Sequence, residues 1–542
     1  MKAGAEISPG QREQTARQVA EALETFLAEH PAAVLLEDGR PLFDMRTAKY
    51  TVGGEHGRCS LHMWDEERNL VRRVVEAAPR KASLRLSTLR FGQTKPQMLE
   101  LVADKDRRTP SSRESTRLRY LRRLEKALLR EFPDWNPEGF RTSMDLEKSF
   151  GPAYARGVQV KGTQAWAVIG VNREETQATV DGVLTPGILW LAQCRESAGG
   201  RRLFQGLRVI VPTGMEALTL SRLTWLNPAV AKWELYVFEE ETDELAAREA
   251  GDFGNLVTRL LHAPNEAAAR ERFGEAAKRV LALVPQVMRG TVETRVRSGG
   301  EMAFLIHGLE FARVKTGYAG ESFNRVEEIT FGAGANETPL TEENETELRE
   351  LVERLFARRS AMGSTRDVLY RMAPERWLES VLRKNVEPID AGLDPEHVYT
   401  QVPAFAAADR GMLDLLGVTA DGRLAVIELK AEEDLHLALQ GLDYWVRVRA
   451  HHLENPDPVT GLGEFQRNGY FGGVRLAREA PRLFLVAPAL RIHPATETVL
   501  RYLSPRVEWT LVAIDERWRR EIKVVWKKRS SDGARGVYGG EG

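Results

Sequence analysis

The chain has 542 residues, 42% of them hydrophobic and 29% charged, with a formal net charge of −1. That is the balance of a soluble globular protein with room for about two to four domains, and it excludes a uniformly basic nucleic-acid coat. Two cysteines, Cys59 and Cys194, are too few for a disulfide framework or a zinc site and point to a reducing cytoplasm. No apolar run reaches the length of a membrane span, and the first residues, MKAGAEISPGQREQ, lack the apolar core of a secretory signal.

In chain order, residues 11–30 carry Val19, Ala22, Leu23, Phe26 and Leu27 at helical spacing. From 33 to 101 the pattern shifts to short alternating strands, among them 58–64 and 82–89. Residues 105–130 hold ten Lys or Arg against three acids. The spacing predicts a loop and then a helix with Leu118, Leu121, Leu124, Leu128 and Leu129 inward. The excess charge outside makes Arg117, Arg122 and Arg123 candidates for nucleic-acid contact, against the plainer reading of a solvated face. Residues 140–240 read as strands and turns, with strands at 164–171, 187–191 and 208–211. Helical runs follow at 254–262 and 265–284, then strands at 291–296, 302–306 and 325–331. No internal repeat and no nucleotide-binding glycine signature is found; Gly332-Ala333-Gly334-Ala335-Asn336 reads as a turn-rich link. The expected organisation is an α+β domain over 1–140, an α+β accessory domain over 141–340, a helical linker over 341–365, an α/β domain over 366–528 and a disordered tail over 529–542.

The most informative stretch is GMLDLLGVTADGRLAVIELK, residues 411–430. Two apolar runs flank Ala420-Asp421-Gly422, which predicts a hairpin with glycine in the left-handed position. Facing Thr419 with Arg423 pairs Val418 with Leu424, Leu416 with Val426 and Asp414 with Glu428. Alternation then sends Asp414, Glu428 and Lys430 to one end of one face. Both strands are apolar on both faces, as in a buried central strand, where charged tips are costly unless paired or liganded. Two carboxylates and an ammonium there read as a metal site with a lysine beside it.

Asp414, thirteen intervening residues and Glu428-Leu429-Lys430 resemble the core motif of the PD-(D/E)XK nuclease superfamily. Glu379, on a helix opened by Pro374-Glu375-Arg376-Trp377-Leu378, falls where that family often has a helical glutamate. Gln440-Gly441-Leu442-Asp443-Tyr444 is similar to the Gln-x-x-x-Tyr motif of its RecB-like branch, and the NucS-type endonucleases have a comparable run. The resemblance covers roughly residues 368–527. It implies a restriction-endonuclease-like αβββαβ core: helix 374–385, strands 397–403, 411–418 and 424–430, helix 434–452, strand 483–487, helix 494–503 and strand 507–514. A further strand is read at 521–527.

The resemblance further implies a Mg²⁺- or Mn²⁺-dependent DNA nuclease of repair, restriction or defence, more an endonuclease than an exonuclease. RNA cleavage and a non-catalytic nucleic-acid-binding platform stand as the alternatives, and a homodimer is left open. Asp414 and Glu428 would hold the metal with the Leu429 carbonyl, and Glu379 directly or through water, with Glu375 as the fallback one turn earlier. The alternative for Glu379 is an exposed pair with Arg383. Lys430 would position water or stabilise phosphorus, with the sign of its pKa shift open between a neighbouring cation and the carboxylates. Gln440 and Tyr444 share a helical stripe with His436, Arg447 and His451; Gln440 would orient a catalytic group and Arg447 meet a phosphate. His451 and His452 read as surface. The insertion 455–480 is either a loop that closes over substrate or a surface excursion.

Overall fold

The computed structural model describes residues 9–37, 39–54, 58–65, 69–80, 82–89, 96–103, 110–145, 148–251, 259–319, 324–333, 338–406, 409–453 and 457–532. The chain is a mixed α/β protein built on several sheets. It divides into two compact units, residues 1–133 with 140–155, and residues 134–139 with 156–542. No described helix is long and apolar enough to cross a membrane.

The first unit carries a seven-stranded sheet from Val34–Glu37 to Gln97–Val102, in which the last strand returns beside the first. The helix Pro9–Glu29 packs on it through Val19, Leu23 and Leu27, as the spacing predicts. Strand Cys59–Trp64 buries Cys59, Leu61 and Met63 and turns its alternate residues outward. The basic helix spans Pro110–Glu131, but its buried side differs from expectation. Tyr120, Leu124, Ala127 and Leu128 are buried, whereas Leu118 and Leu129 are 45% and 46% exposed. The stripe follows the i, i+4, i+7, i+8 row, which a leucine count alone misplaces. Lys105, Arg107 and Arg108 lie outside the described residues.

The second unit begins with a six-stranded sheet. Its elements are β1 (Asn136–Arg141), β2 (Tyr154–Lys161), β3 (Gln164–Val171), α1 (Leu184–Ala198), β4 (Leu203–Pro212), α2 (Ala217–Leu223), β5 (Lys232–Glu239) and β6 (Glu244–Arg248). The spatial order follows the chain from β1 to β6. β3, β4 and β5 run parallel, and β6 closes antiparallel on β5. The expected strand at 187–191 is instead the middle of α1. That helix is buried from Leu184 to Leu191, and a helix enclosed on every side shows the unbroken apolar run of a buried strand. Gly187 lets it lie close to the sheet, since a Cβ there would stand 3.0 Å from Ile169 and Leu207.

A five-stranded sheet from Val292–Ser298 to Thr338–Pro339 follows, including Leu309–Ala319, which the sequence reading missed. Helices Gly274–Leu283 and Glu345–Arg358 pack on it. The second of these, expected as a linker, buries Leu348, Val352 and Leu355 in that core. Of the helical run expected at 254–262, residues 254–258 lie outside the described residues, and Arg259–Leu260 is a short strand. Residues 334–336 of the glycine-rich link and 533–542 of the tail also lie outside them.

The last part contains α3 (Pro374–Lys384), β7 (Tyr399–Ala406), β8 (Asp409–Val418), β9 (Leu424–Leu429), α4 (Leu437–Leu453), β10 (Arg482–Pro488), α5 (Ala495–Arg501), β11 (Trp509–Ile514) and β12 (Val524–Arg529). β7, β8 and β9 form an antiparallel meander; β9, β10 and β11 run parallel; β12 returns antiparallel. Strand Arg259–Leu260 pairs on the outer edge of β7. β9 is therefore central and buried along its whole length. Trp377, Leu378 and Leu382 of α3 cover the face of Leu415, Ile427 and Leu429. The opposite face is covered by α4, whose Gly441 allows close approach to Leu483 and Leu485.

Candidate active site

The hairpin has the expected register. Val418 pairs with Leu424 and Leu416 with Val426. The Thr419 N–H donates to Arg423 O at 2.8 Å, and Gly422 holds φ +84°. A Cβ on Gly422 would also stand 2.2 Å from Arg475 O, so glycine is required twice over. At the far end of the hairpin the Leu429 N–H donates to Asp414 Oδ2 at 2.9 Å, drawing the carboxylate to the tip of β9. Glu428 is buried there, and its Oε2 has no hydrogen-bond partner in the protein. Lys430 Nζ stands 3.3 Å from Glu428 Oε1, 3.7 Å from Asp434 Oδ2 and 4.0 Å from Glu375 Oε1.

Helix α3 borders this cluster, and its entry is tightly held. Ala373, just before Pro374, takes φ +44°. The fully buried Arg359 guanidinium donates to the carbonyls of His307, Leu369, Met372 and Ala373 and lies 4.8 Å from the Trp377 ring centre. That clamp places Glu375 in the first turn beside Lys430. Glu379, one turn on, is buried and doubly engaged. Arg295 donates to its Oε1 at 2.8 Å, and Arg376 to its Oε2 at 3.2 Å. The exposed pair with Arg383 does not exist; Arg383 bonds Glu293 at 2.9 Å. Both Glu379 oxygens already accept hydrogen bonds, so the carboxylate next to Lys430 is the fallback, Glu375.

A further residue at this edge escaped the sequence reading. The ladder between β7 and β8 pairs Thr400 with Leu415 and Val402 with Leu413, which sets Gln401 opposite Asp414. Gln401 has φ +51°, a left-handed backbone inside a strand, and its amide donates to Glu379 Oε2 at 3.0 Å. Non-glycine residues rarely adopt this conformation without a surrounding constraint. Neither Gln401 nor Arg295 has a local pattern; their place is set by partners far along the chain.

Helix α4 supplies the stripe expected from its sequence. Burial, and the charges of Glu428 and Asp414 beside it, push the Tyr444 hydroxyl above its ordinary pKa. Gln440 Oε1 is buried without a partner. Arg447 is buried with its guanidinium 5.8 Å from the Tyr444 ring centre. His451 and His452 are buried, against expectation. They bond Glu464 Oε2 and Ala477 O, both at 2.6 Å, and so anchor the insertion. The Ala477 N–H donates to Gly422 O at 2.8 Å, and Phe465 and Phe471 are fully buried. In the described part of 455–480 the chain is therefore packed at the hairpin turn, the end opposite Asp414, and is not poised to close over the site.

Charge is unbalanced at the tip of β9. Burial raises the pKa of Asp414, and burial together with Asp414 raises Glu428 well above the ordinary carboxylate value. Burial and nearby acids also raise Glu375. Burial lowers Lys430, but Glu428, Glu375, Asp434 and Asp414 outweigh it and raise the ammonium. One ammonium thus faces four carboxylates, of which Glu428 is buried. Hard oxygen donors with an unpartnered Glu428 Oε2 fit a hard divalent cation. Asp414 and Glu428 are the residues that would hold it. Leu429 is anchored by its N–H to Asp414. Among the described residues, no three or more His, Cys, Asp or Glu side chains form a ready-made metal cluster.

In the first unit, Arg117 lines a pocket of about 640 Å³ together with Arg113, Arg141 and Ser143. Arg122 is exposed and Arg123 half-buried on the same helix. No protein-family model matches this sequence, and comparison with curated proteins gives no match.

Proposed function

We propose that this chain is a divalent-metal-dependent nuclease of the PD-(D/E)XK kind, acting on DNA. The observation that carries the reading is the Asp414–Glu428 pair, with Glu428 buried, one of its oxygens unpartnered and Lys430 3.3 Å away. It lies at the C-terminal end of a central strand, where open α/β sheets place their ligands. The order α3-β7-β8-β9-α4-β10-α5-β11 supports a restriction-endonuclease-like core.

Asp414 and Glu428 would hold Mg²⁺ or Mn²⁺, which would supply a Lewis acid and a more acidic water. The protein's own part is positional. Asp414 is fixed by the Leu429 N–H, and Glu428 by the strand and by Lys430. Lys430 keeps its proton and presents a cation where phosphate charge grows. Glu375 and Asp434 hold that ammonium in place. Glu379, with Arg295, Arg376 and Gln401, fixes α3 against β7 and acts as a positioning residue. Tyr444 closes the α4 side as a neutral phenol. A reducing cytoplasm would suit Cys59 and Cys194, both buried and neither in a disulfide.

The test is cleavage of single-stranded, duplex and branched DNA and of RNA with Mg²⁺, Mn²⁺ or chelator. Metal-dependent DNA cleavage lost in Asp414→Asn supports the reading. Cleavage confined to RNA would change the substrate. DNA binding without cleavage in any metal would leave a binding platform and refute the enzyme.

A further inference from the structure

The two parallel-centred sheets of the second unit share one winding. β2 and β3 form a hairpin across Gly162-Thr163, then α1, β4, α2, β5 and the antiparallel β6 follow. β8 and β9 form a hairpin across 420–422, then α4, β10, α5, β11 and the antiparallel β12 follow. The registers align on two prolines. Pro212 ends β4 opposite Phe238, and Pro488 ends β10 opposite Ile514. Two residues earlier, Ile210 pairs with Gly170 and Val486 with Leu429. Ile169 therefore stands where Glu428 stands, and Val171 where Lys430 stands. The hairpin strands YARGVQVK and QAWAVIGV carry no carboxylate at all.

The two halves meet reciprocally. α5 packs on α1, and α4 packs on α2. Leu226, just after α2, bridges antiparallel to Leu503, just after α5. The Asn227 N–H donates to Tyr502 O and the Ser504 N–H to Trp225 O, each at 2.8 Å. Each half offers an aromatic ring to an arginine on the other's long helix: Arg449 of α4 lies 4.9 Å from the Trp225 ring centre, and Arg195 of α1 5.9 Å from that of Tyr502. Matching contacts exchanged in both directions are the mark of an isologous, two-fold interface.

We infer that residues 136–248 are a second copy of the unit that carries Asp414, Glu428 and Lys430, emptied of its carboxylates and filling the place of a partner subunit. The chain is its own dimer, with a single active centre. Resting on the nuclease reading, it severs one strand of a duplex per encounter, and the homodimer left open by the sequence is not formed through this face.

The experiment pairs sedimentation of the full chain, free and on a duplex oligonucleotide, with Mn²⁺-dependent cleavage of supercoiled plasmid. The expected result is a monomer over the whole concentration range, with nicked circles accumulating before any linear product. A stable dimer, free or on DNA, would overturn the internal partner even if cleavage is found. A monomer that linearises plasmid without a nicked intermediate would overturn the one-strand claim. Absence of cleavage would refute the nuclease reading and the one-strand claim with it, while sedimentation still decides whether the partner's place is filled.

Discussion

Replacing Glu428 by Gln tests the site without any substrate. The buried Glu428 carboxylate lacks a partner on Oε2 and faces Asp414, which lifts its folded-state pKa well above the ordinary 4.5. A group raised in this way contributes stability that is present below the unfolded value and lost as pH climbs through the folded value. The loss is about 1.4 kcal/mol for each pH unit between the two values. Glutamine keeps the shape and carries no proton to lose. The pair titrates together, and removing one charge relieves Asp414 while taking from Lys430 its nearest carboxylate. Urea unfolding in chelator should show the variant equal to its parent in mild acid and more stable at neutral pH. Mn²⁺ should narrow the difference, because the parent gains about 2.7 kcal/mol at a hundredfold excess over Kd and the variant gains less. A variant less stable than its parent in chelator at neutral pH would refute this account of Glu428.

Asp414→Asn should weaken Mn²⁺ binding and abolish cleavage together. Lys430→Ala should bind Mn²⁺ as well or better by calorimetry yet lose at least about a hundredfold in cleavage, the scale of removing one positioned charge; near-parental cleavage would remove Lys430 from catalysis. Arg222→Leu strips both charged hydrogen bonds from the half-buried Asp443, 2.9 and 2.7 Å long, and should cost up to about 3 kcal/mol in urea unfolding, with Asp443→Leu added to it restoring part of the loss. The same contacts argue against a separable fragment. Residues 365–530 expressed alone lack Arg222, Arg295 and Arg359 and should fail to unfold cooperatively. Serine at Arg117, Arg122 and Arg123 should flatten the salt dependence of DNA affinity by up to about 0.9 in log–log slope per lost phosphate contact; an unchanged slope excludes this helix from binding.

The β7-to-β12 order and the Asp414–Glu428–Lys430 grouping were legible because both are written locally. A hairpin declares its register through its loop, and alternation then fixes which side chains share a face. What was not legible depends on distant partners. Glu379 has the spacing of a ligand, but Arg295, 84 residues earlier, engages it. The buried state of His451 and His452 follows from Glu464 and Ala477 in an insertion that looked like surface. α1 read as a strand because burial on all sides erases helical periodicity. The doubled winding left no trace in the sequence, since the two halves keep topology, two prolines and reciprocal contacts while their core side chains differ.

The internal pairing also has a consequence during synthesis. Arg222 is made 221 residues before Asp443. At roughly 5–20 residues per second, that gap lasts about 10–45 s. The first half waits on the ribosome through that interval with Trp225 and the partner-facing side of α1 uncovered, since the surface that shields them has yet to be translated. A homodimer of the same design would wait for a collision whose frequency depends on concentration; here the delay is set by the length of chain between the halves. Assembly is thereby moved from diffusion to translation, and its timing is the same in a cell holding a few copies as in one holding many.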